Sequence, residues 1–292
     1  MWNIELVRKR DLSSFRRIAI GTWTTAYDPS VYGSMNLRVE KLLAYIEAFR
    51  AATGKHVTLT HLLAKIAAAC VAQMPDANAL LRFNQLYLRR RIGIFFQVAM
   101  QDPETGELDL SGTTVFDADK KSLAEIVDEF AANVARVRAL KDPTLEKTRS
   151  LFKGLIPSLL LNWTLKLVSF LCYTLNLNLS WAGLPRDPFG SVMVTNIGSL
   201  GLDQAFVPLV PYSRVPLLIA VGSVRDAPVV EDGQVVVGKE MTLSATFDHR
   251  ILDGTHAAVL ARTVREWFDD PFGHFDPLEP RPDADGEGAG TT

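Results

Sequence analysis

A strand, a polar turn and a helix follow one another within residues 243–268, and this stretch constrains the fold more than any other. Apolar and small residues alternate over residues 243–247, as in a half-buried β-strand. Four ionisable side chains then fall within six positions, before Gly254 breaks the chain direction: Asp248, His249, Arg250 and Asp253. An apolar stripe at helical spacing follows, made of Ala258, Val259, Val264, Trp267 and Phe268. The pattern predicts an α/β fold with ionisable groups collected at the end of a strand.

His249 is the candidate catalytic group of this turn. An imidazole has an unperturbed pKa of about 6.5, so it is mostly neutral near pH 7 and can act as a general base. The flanking carboxylates and Arg250 could fix its tautomer and its ring orientation. A histidine beside an aspartate is also common in surface turns, so spacing alone leaves a structural role open.

Residues 248–254, which read Asp-His-Arg-Ile-Leu-Asp-Gly, resemble the DHRxxDG motif of the 2-oxoacid dehydrogenase acyltransferases. These catalytic domains belong to the dihydrolipoamide acyltransferase components and share their fold with chloramphenicol acetyltransferase. The resemblance extends over about residues 16–271. It implies an α/β, chloramphenicol acetyltransferase-like two-layer sandwich, in which helices pack on a mixed β-sheet. It also implies a coenzyme A-dependent acyltransferase.

The resemblance assigns roles to individual residues. Residues 190–206 resemble the family segment ending in Ser/Thr-Asn-x-Gly-x-x-Gly, whose hydroxyl residue maps onto Thr195. His249 would then be the general base and Thr195 the oxyanion donor, while Asp253 would brace the loop. An arginine, Arg17 or Arg16, would pair with Asp253. The supporting residues of the site would be Asp248, Arg250, Gly254 and Arg17. Without the motif, Thr195 would be interpreted as a strand-end threonine that bonds its own turn.

Acyl transfer between thiols explains why the family needs these groups. A thiol with a pKa near ~8.5 is only slightly ionised at pH 7, so a base must take its proton. A donor must also stabilise the oxyanion of the tetrahedral intermediate, and losing one such donor can cost ~3 kcal/mol. A hydroxyl can donate this bond without becoming a nucleophile, so no acyl-threonine intermediate is predicted.

The same resemblance predicts a homotrimer or a higher homo-oligomer. In the family, the site lies between neighbouring subunits, with the base and the oxyanion donor on different chains, so a monomer would be inactive. Family trimers often build cubic or dodecahedral cores through an apolar C-terminus. Residues 276–292 are instead acidic and rich in proline and glycine, which predicts a disordered tail and disfavours a cage. The acyltransferase catalytic domain would occupy residues 1–275.

Coenzyme A and acyl-CoA are the expected substrates, with no metal and no lipoyl group of the chain's own. The sequence contains no lipoyl domain, no subunit-binding domain and no alanine-proline linker. The chain would therefore take acyl groups from a lipoyl-bearing protein in trans, or use a different acceptor or donor. Two other functions stay open. One is a non-catalytic or weakly catalytic scaffold, or a membrane-associated oligomer, that keeps the fold. The other is a small-molecule O-acetyltransferase, which the DHR form of the motif disfavours.

An apolar helical insert at about residues 150–189 departs from the family, whose members need only a short connection there. Residues 155–181 are dense in leucine and aromatic residues. Polar residues recur at steps of four and three, which predicts one polar stripe on a helix: Asn162, Lys166, Ser169, Tyr173 and Asn176. Pro157 and the polar residues disfavour a transmembrane span. Contact with a membrane surface or with a partner subunit fits the stripe better, and an extra core layer is the alternative.

Composition sets wider limits. The chain has 292 residues, 48% hydrophobic and 22% charged, as in an ordinary globular protein. Its net charge of −2 disfavours nucleic-acid binding. Cys70 and Cys172 form no CxxC motif, and no signal peptide is evident. We therefore expect a cytoplasmic protein, with the insert as its candidate contact to the inner face of a membrane.

The remaining pattern predicts further elements. Helices are predicted over residues 37–50 and 58–74 and after a Ser122–Glu125 capping box. Strands are predicted at 86–88, 92–100, 216–224 and 234–238, with a hairpin turn at 231–233. Three arginines at 89–91 favour a solvated turn over an anion site. His61 is interpreted as structural, because no acidic or nucleophilic residue lies near it in sequence.

Overall fold

A mixed six-stranded sheet forms the centre of the computed structural model, which describes residues 2–10, 29–101, 108–138 and 158–278. The strand order is β2-β9-β8-β7-β5-β6. Its strands are β2 (Ser30–Arg38), β5 (Gly93–Gln101), β6 (Leu108–Phe116), β7 (Val192–Asn196), β8 (Leu217–Glu231) and β9 (Gln234–Asp248). Strand β7 runs parallel to β5 and β8, and the other pairs are antiparallel. The predicted mixed sheet is therefore confirmed.

A smaller antiparallel sheet and six helices complete the described part of the chain. The small sheet has the order β1-β4-β3, with β1 (Leu6–Arg8), β3 (Ala79–Arg82) and β4 (Gln85–Arg89). The helices are α1 (Glu40–Thr53), α2 (Leu59–Gln73), α3 (Leu123–Arg138), α4 (Ser158–Ser169), α5 (Gly254–Asp269) and the short α6 (Pro271–His274).

The main core lies between one face of the large sheet and helices α1, α2, α3 and α5. Ile94 and Phe96 occupy alternate positions of β5 and are almost fully buried, as Val192 and Val194 are on β7, so these side chains share that face. Helix α2 contains five alanines, and its small side chains let it contact α5, α3 and β7. The helices therefore form one layer and the sheet the other.

Strand pairing shifts several predicted boundaries. The helix predicted from residue 37 begins at Glu40, because β2 stays paired with β9 as far as the Arg38–Glu240 pair. The helix continues three residues past the predicted end and stops at Thr53, because Gly54 adopts a left-handed φ of 69°. The two short strands predicted at 216–224 and 234–238 are parts of a long hairpin, β8–β9. Asp232 and Gly233 form its turn with φ values of 49° and 79°.

The prediction of one helix with one polar stripe over residues 155–181 is wrong. Helix α4 ends at Ser169, a wide π-helical turn spans Phe170–Thr174, and Asn176 has a left-handed φ of 58°. The Asn176 side chain is buried, and its amide exchanges two hydrogen bonds of 2.7 Å with the backbone of Ile4. Asn176, the last residue of the predicted polar stripe, therefore binds the N-terminal segment and does not continue the helix. In the part of the chain that the structure describes, no helix is long and apolar enough to cross a membrane.

The arginines at 89–91 do not form a solvated turn as a group. Arg89 belongs to β4, and its side chain is 1% exposed and lies 3.1 Å from the carboxylate of Asp187. Arg90 and Arg91 lie in an exposed bend, as predicted, and Arg91 pairs there with Asp117 at 2.6 Å. Asp276, at the start of the predicted tail, accepts hydrogen bonds from Tyr45 and from the backbone of Leu123. Residues 279–292 of that tail lie outside the described residues.

Candidate active site

The Asp-His-Arg turn is held at the end of β9 by backbone hydrogen bonds on three sides. The Asp248 N–H donates to Pro216 O at 2.9 Å, and the His249 N–H donates to Pro29 O at 2.7 Å. The Asp248 carbonyl accepts from the N–H groups of both Ile251 and Leu252 at 2.9 Å. Because neighbouring segments fix the turn on either side, the side chain that follows Asp248 has a defined position.

His249 is half-buried, and its ring is oriented by a backbone carbonyl. Its Nδ1 lies 2.9 Å from Leu252 O. A carbonyl oxygen can only accept a hydrogen bond, so Nδ1 carries a proton in this arrangement, and in the neutral ring the lone pair is on Nε2. This is the tautomer that a general base acting through Nε2 requires.

Asp248 and Arg250 bind each other, so they do not orient the His249 ring as the sequence suggested. The Arg250 Nη2 lies 2.5 Å from Asp248 Oδ2, and its Nε lies 2.9 Å from Oδ1. The backbone N–H of Arg250 also donates to Oδ1 at 3.0 Å. Both side chains are at least nine-tenths buried. The Asp248–Arg250 pair links the two residues on either side of His249 and so stabilises the turn that positions this histidine.

Asp253 caps helix α5 and supports the same turn. Its Oδ1 accepts from the backbone N–H groups of Thr255 and His256 at 3.0 and 3.2 Å. Burial acts to raise the pKa of Asp253, but the hydrogen bonds from Thr255 and His256 outweigh it and hold the pKa well below its ordinary value. The expected bracing role thus takes the form of a helix N-cap. Its predicted partners, Arg16 and Arg17, lie outside the described residues.

Sequence reasoning missed a second set of contacts to this cap. His256 Nδ1 lies 2.6 Å from Asp253 Oδ1, and its Nε2 lies 3.3 Å from Asp76 Oδ2. The hydrogen bonds from His256 and Lys9 lower the pKa of Asp76 to about 2. An aspartate three residues before a histidine at a helix start is a capping-box signal, but nothing local points to Asp76.

Thr195 lies on β7 and does not bond its own turn. Its Oγ1 donates to Gln97 Oε1 on β5 at 2.8 Å, and the side chain is half-buried. The turn that follows is bonded by Asn196, whose Oδ1 accepts from the Ser199 N–H at 3.0 Å. The Thr195 hydroxyl is therefore held at the surface of the sheet by one hydrogen bond to the Gln97 side chain.

The two predicted catalytic groups lie far apart within one chain. Thr195 pairs with Ala220 on β8, and Ala220 pairs with Ser244 on β9, five residues before His249. Typical strand dimensions place the two positions about 17 Å apart along the strands and about 10 Å apart across them. The structure thus fixes both groups but does not bring them together in a single subunit.

Other nucleophiles and ligand groups are poorly placed for chemistry. Burial raises the pKa of the Cys70 thiol to about 12 and also raises that of Cys172, so both thiols are protonated at neutral pH. Over residues 2–10, 29–101, 108–138 and 158–278, no group of three or more His, Cys, Asp or Glu side chains could hold a metal ion.

Comparison with known proteins finds sequence relatives over part of the chain. The chain is 38% identical over 81 residues to a lipoamide acyltransferase component of a branched-chain α-keto acid dehydrogenase complex from Pseudomonas putida. It is 35% identical over 81 residues to a dihydrolipoyllysine-residue acetyltransferase component of the Bacillus subtilis pyruvate dehydrogenase complex. Each match covers 28% of this chain, and the matched segment spans about a fifth of those relatives (19% and 18%).

Solved structures show the same fold. A probable dihydrolipoamide acetyltransferase from Listeria monocytogenes superposes with a TM-score of 0.63 at 17% identity, covering 94% of this chain and 99% of that one. An Azotobacter vinelandii dihydrolipoamide acetyltransferase, solved to study one serine, one histidine and one asparagine in its catalytic mechanism, gives 0.62 at 20% identity over 91% and 93%. Chloramphenicol acetyltransferase gives 0.51 at 11% identity over 90% and 100%. The predicted chloramphenicol acetyltransferase-like fold is confirmed.

A family profile covers most of the chain. The profile described as 2-oxoacid dehydrogenases acyltransferase (catalytic domain) matches residues 7–150 and 189–274. The two matched segments include Thr195, His249 and Asp253, and the unmatched segment between them contains helix α4. The chain therefore belongs to the family of 2-oxoacid dehydrogenase acyltransferase catalytic domains.

Proposed function

We propose that this chain is a coenzyme A-dependent acyltransferase that moves an acyl group between coenzyme A and a thiol acceptor of the dihydrolipoyl type. The observation that carries the proposal is the contact between His249 Nδ1 and Leu252 O. It leaves the Nε2 lone pair as the proton acceptor and holds the ring at the end of β9. The match of the whole turn to a family of acyltransferase catalytic domains supports the same reaction.

The reaction follows from these groups. His249 Nε2 takes the proton of the attacking thiol, and the sulfur forms a bond to the thioester carbonyl carbon. The carbonyl oxygen becomes an oxyanion, which accepts a hydrogen bond from the hydroxyl of Thr195. When the intermediate collapses, the original carbon–sulfur bond of the thioester breaks. The departing thiolate then takes the proton from the imidazolium of His249. The same steps in reverse order serve transfer in the other direction.

Gln97 controls whether the Thr195 proton is available. In the structure, that proton points to Gln97 Oε1. Rotation of the Gln97 amide by about 180° would present its NH₂ to Thr195 Oγ1, and the hydroxyl proton could then turn to the oxyanion. Gln97 is exposed, so this rotation displaces no core packing. We assign Gln97 as a positioning residue for the oxyanion donor.

We further propose that the complete site is shared between subunits of a homotrimer. Within one chain, His249 and Thr195 are separated by two strand spacings and about five residues of strand length. Side chains of these types cannot cover that distance to meet at one carbonyl group. A neighbouring subunit that brings its own Thr195 to His249 would complete the site.

Complementation between inactive variants tests the shared site. His249→Ala and Thr195→Ala are each expected to lower the rate of acyl transfer from acetyl-CoA to dihydrolipoamide, the first to background. Co-expression of the two variants should restore activity in mixed trimers, because about a quarter of the interfaces then join an intact His249 to an intact Thr195. His274→Ala, at a surface position of α6, serves as the matched histidine control and should keep full activity.

Three results would contradict the proposal. Retained activity in His249→Ala would remove that histidine from the mechanism. Mixed oligomers that contain both variants, verified by mass, but show no recovered activity would contradict the division of the site between chains. Light scattering that gives a stable and active monomer would do the same. Replacing acetyl-CoA by acyl-CoAs of different chain length in the same assay identifies the acyl group.

A scaffold or membrane-associated oligomer is the second candidate, and one observation favours it. Two tryptophans of the insert are among the most exposed apolar side chains, Trp163 at 70% and Trp181 at 84%. Exposed aromatic groups of this size indicate contact with a partner subunit or a lipid surface. Trp163→Gln with Trp181→Gln should lower the oligomer mass or release the chain from anionic vesicles. If neither the oligomer mass nor the vesicle binding changes, this candidate function is excluded. A lipoyl domain added in trans tests the acyl acceptor in a separate experiment.

A further inference from the structure

A cavity of about 590 Å³ lies behind the Asp-His-Arg turn, between helix α4 and residues 209–215. Its walls are mostly apolar, with Leu165, Phe170, Leu209 and Val215 among them. Asp248 and Arg250 line it, whereas His249, the residue between them, does not. The volume is in the range typical of small-molecule sites, about 300–1,000 Å³. The cavity is thus separate from the proposed position of the base.

The charges around this cavity do not balance. Three cations line it, Lys166, Arg214 and Arg250, with one carboxylate, Asp248. Asp248 forms its ion pair with Arg250, so this carboxylate makes no ion pair with Arg214 or Lys166. Arg214 makes one hydrogen bond among the described residues, from its Nε to Ser169 Oγ at 3.0 Å. Among the described residues, no carboxylate lies within ion-pairing distance of Arg214.

Arg214 is held in place although its position is unfavourable. It has a left-handed φ of 56°, at the end of the short helical turn Pro211–Ser213. Burial and the nearby charge of Arg250 lower the pKa of Arg214. A half-buried guanidinium that faces an apolar cavity beside a second cation is stabilised when an anion enters.

We propose that this cavity binds an amphipathic anion, with its carboxylate or phosphate head on Arg214 and Lys166 and its apolar chain along α4 and residues 209–215. The guanidinium offers the donors that carboxylate and phosphate accept, and the apolar walls fit a hydrocarbon chain. Helix α4, which closes the cavity on one side, lies in the segment that the family profile does not match. The insert therefore supplies one wall of the site and residues 209–215 supply another, and the proposed binding does not depend on the proposed acyl transfer.

Calorimetric titration of the full chain tests this site. Dodecanoate and dodecyl phosphate, each below its critical micelle concentration, are the probes for the two head groups, and dodecanol and inorganic phosphate are the controls. At least one of the two amphipathic anions should bind one molecule per chain. Arg214→Gln should weaken that binding by about tenfold or more, and Lys166→Gln by less, because Lys166 is exposed. Arg262→Gln, at an exposed position of α5, should leave it unchanged.

Each outcome decides for or against the site. Binding of dodecanoate alone identifies a carboxylate ligand, and binding of dodecyl phosphate alone a phosphate ligand. Equal binding of dodecanol, equal binding of inorganic phosphate, or full affinity in Arg214→Gln would overturn the proposal, as would the failure of both amphipathic anions to bind. If circular dichroism shows that Arg214→Gln is unfolded, Leu165→Trp provides the test instead. Its larger side chain fills the cavity from α4 and should abolish binding. Retained binding in Leu165→Trp would also overturn the proposal.

Discussion

Acid stability should depend on one buried histidine far from the active site. His61 is 6% exposed, and its ring packs edge-to-face on Phe130 at 4.9 Å. Its Nδ1 accepts from the Thr58 N–H at 3.0 Å and closes the capping box of α2, so the ring is neutral with its proton on Nε2. Nε2 is buried and has no hydrogen-bond partner among the residues that the structure describes. Protonation would place a charge in this apolar position.

The size of the effect follows from the shifted pKa. Burial, with a smaller contribution from the charge of His56, lowers the pKa of His61 to about 4, from an ordinary 6.5. The unfolded chain therefore binds the proton first, so this part of the stability is complete above about pH 6.5 and is lost as the pH falls towards 4. Linkage gives a loss of about 2 kcal/mol in the free energy of unfolding between about pH 7.5 and about pH 5.

His61→Gln isolates this contribution. Glutamine is a regular residue at this capping-box position but does not titrate, so the variant keeps the cap and should lose about 2 kcal/mol of the pH dependence. Urea unfolding at both pH values and at one protein concentration measures it. His56→Gln, at an exposed position five residues upstream, is the control and should keep most of the dependence. An unchanged dependence in His61→Gln would refute the reasoning.

Five further substitutions, two of them at Gln97, have defined expectations. Arg250→Met leaves the Asp248 carboxylate buried and unpaired and should cost about 3–5 kcal/mol in urea unfolding; a loss below about 1 kcal/mol would contradict the role of the pair. Asp253→Ala removes the cap of α5 and should cost about 1 kcal/mol at neutral pH, but less in acid, because the stability from its lowered pKa is present above about pH 4 and falls below it. Gln97→Glu should hold the Thr195 proton and lower kcat about tenfold with KM unchanged, whereas Gln97→Met should not; equal rates would exclude the positioning role. Gly222→Ala should cost about 1–3 kcal/mol in thermal unfolding, because its Cβ would lie 2.0 Å from Asp203 O, and a wild-type melting temperature would show that this contact relaxes.

The sequence by itself determined the features that a few neighbouring residues encode. Alternating residues identified β9, and the Ser122–Glu125 capping box marked a helix start that the structure confirms. The same holds for the hairpin at Asp232–Gly233. The Asp-His-Arg motif was sufficient to identify the family and therefore the fold. Such features depend on local hydrogen bonds, backbone conformation and side-chain periodicity. They need no contact with residues distant in sequence.

Only the tertiary structure decided which groups meet. The sequence placed Asp248 and Arg250 beside His249, but the fold turns them towards each other and gives the imidazole a backbone carbonyl. It also separated Thr195 from His249 within one chain, buried Arg89 against Asp187, and ended α4 at Ser169 to enclose a cavity. The reason is that strand register and long-range pairing fix these contacts. A shift of one residue would turn every side chain of a strand to the other face, and local sequence carries no record of the partner strand's position.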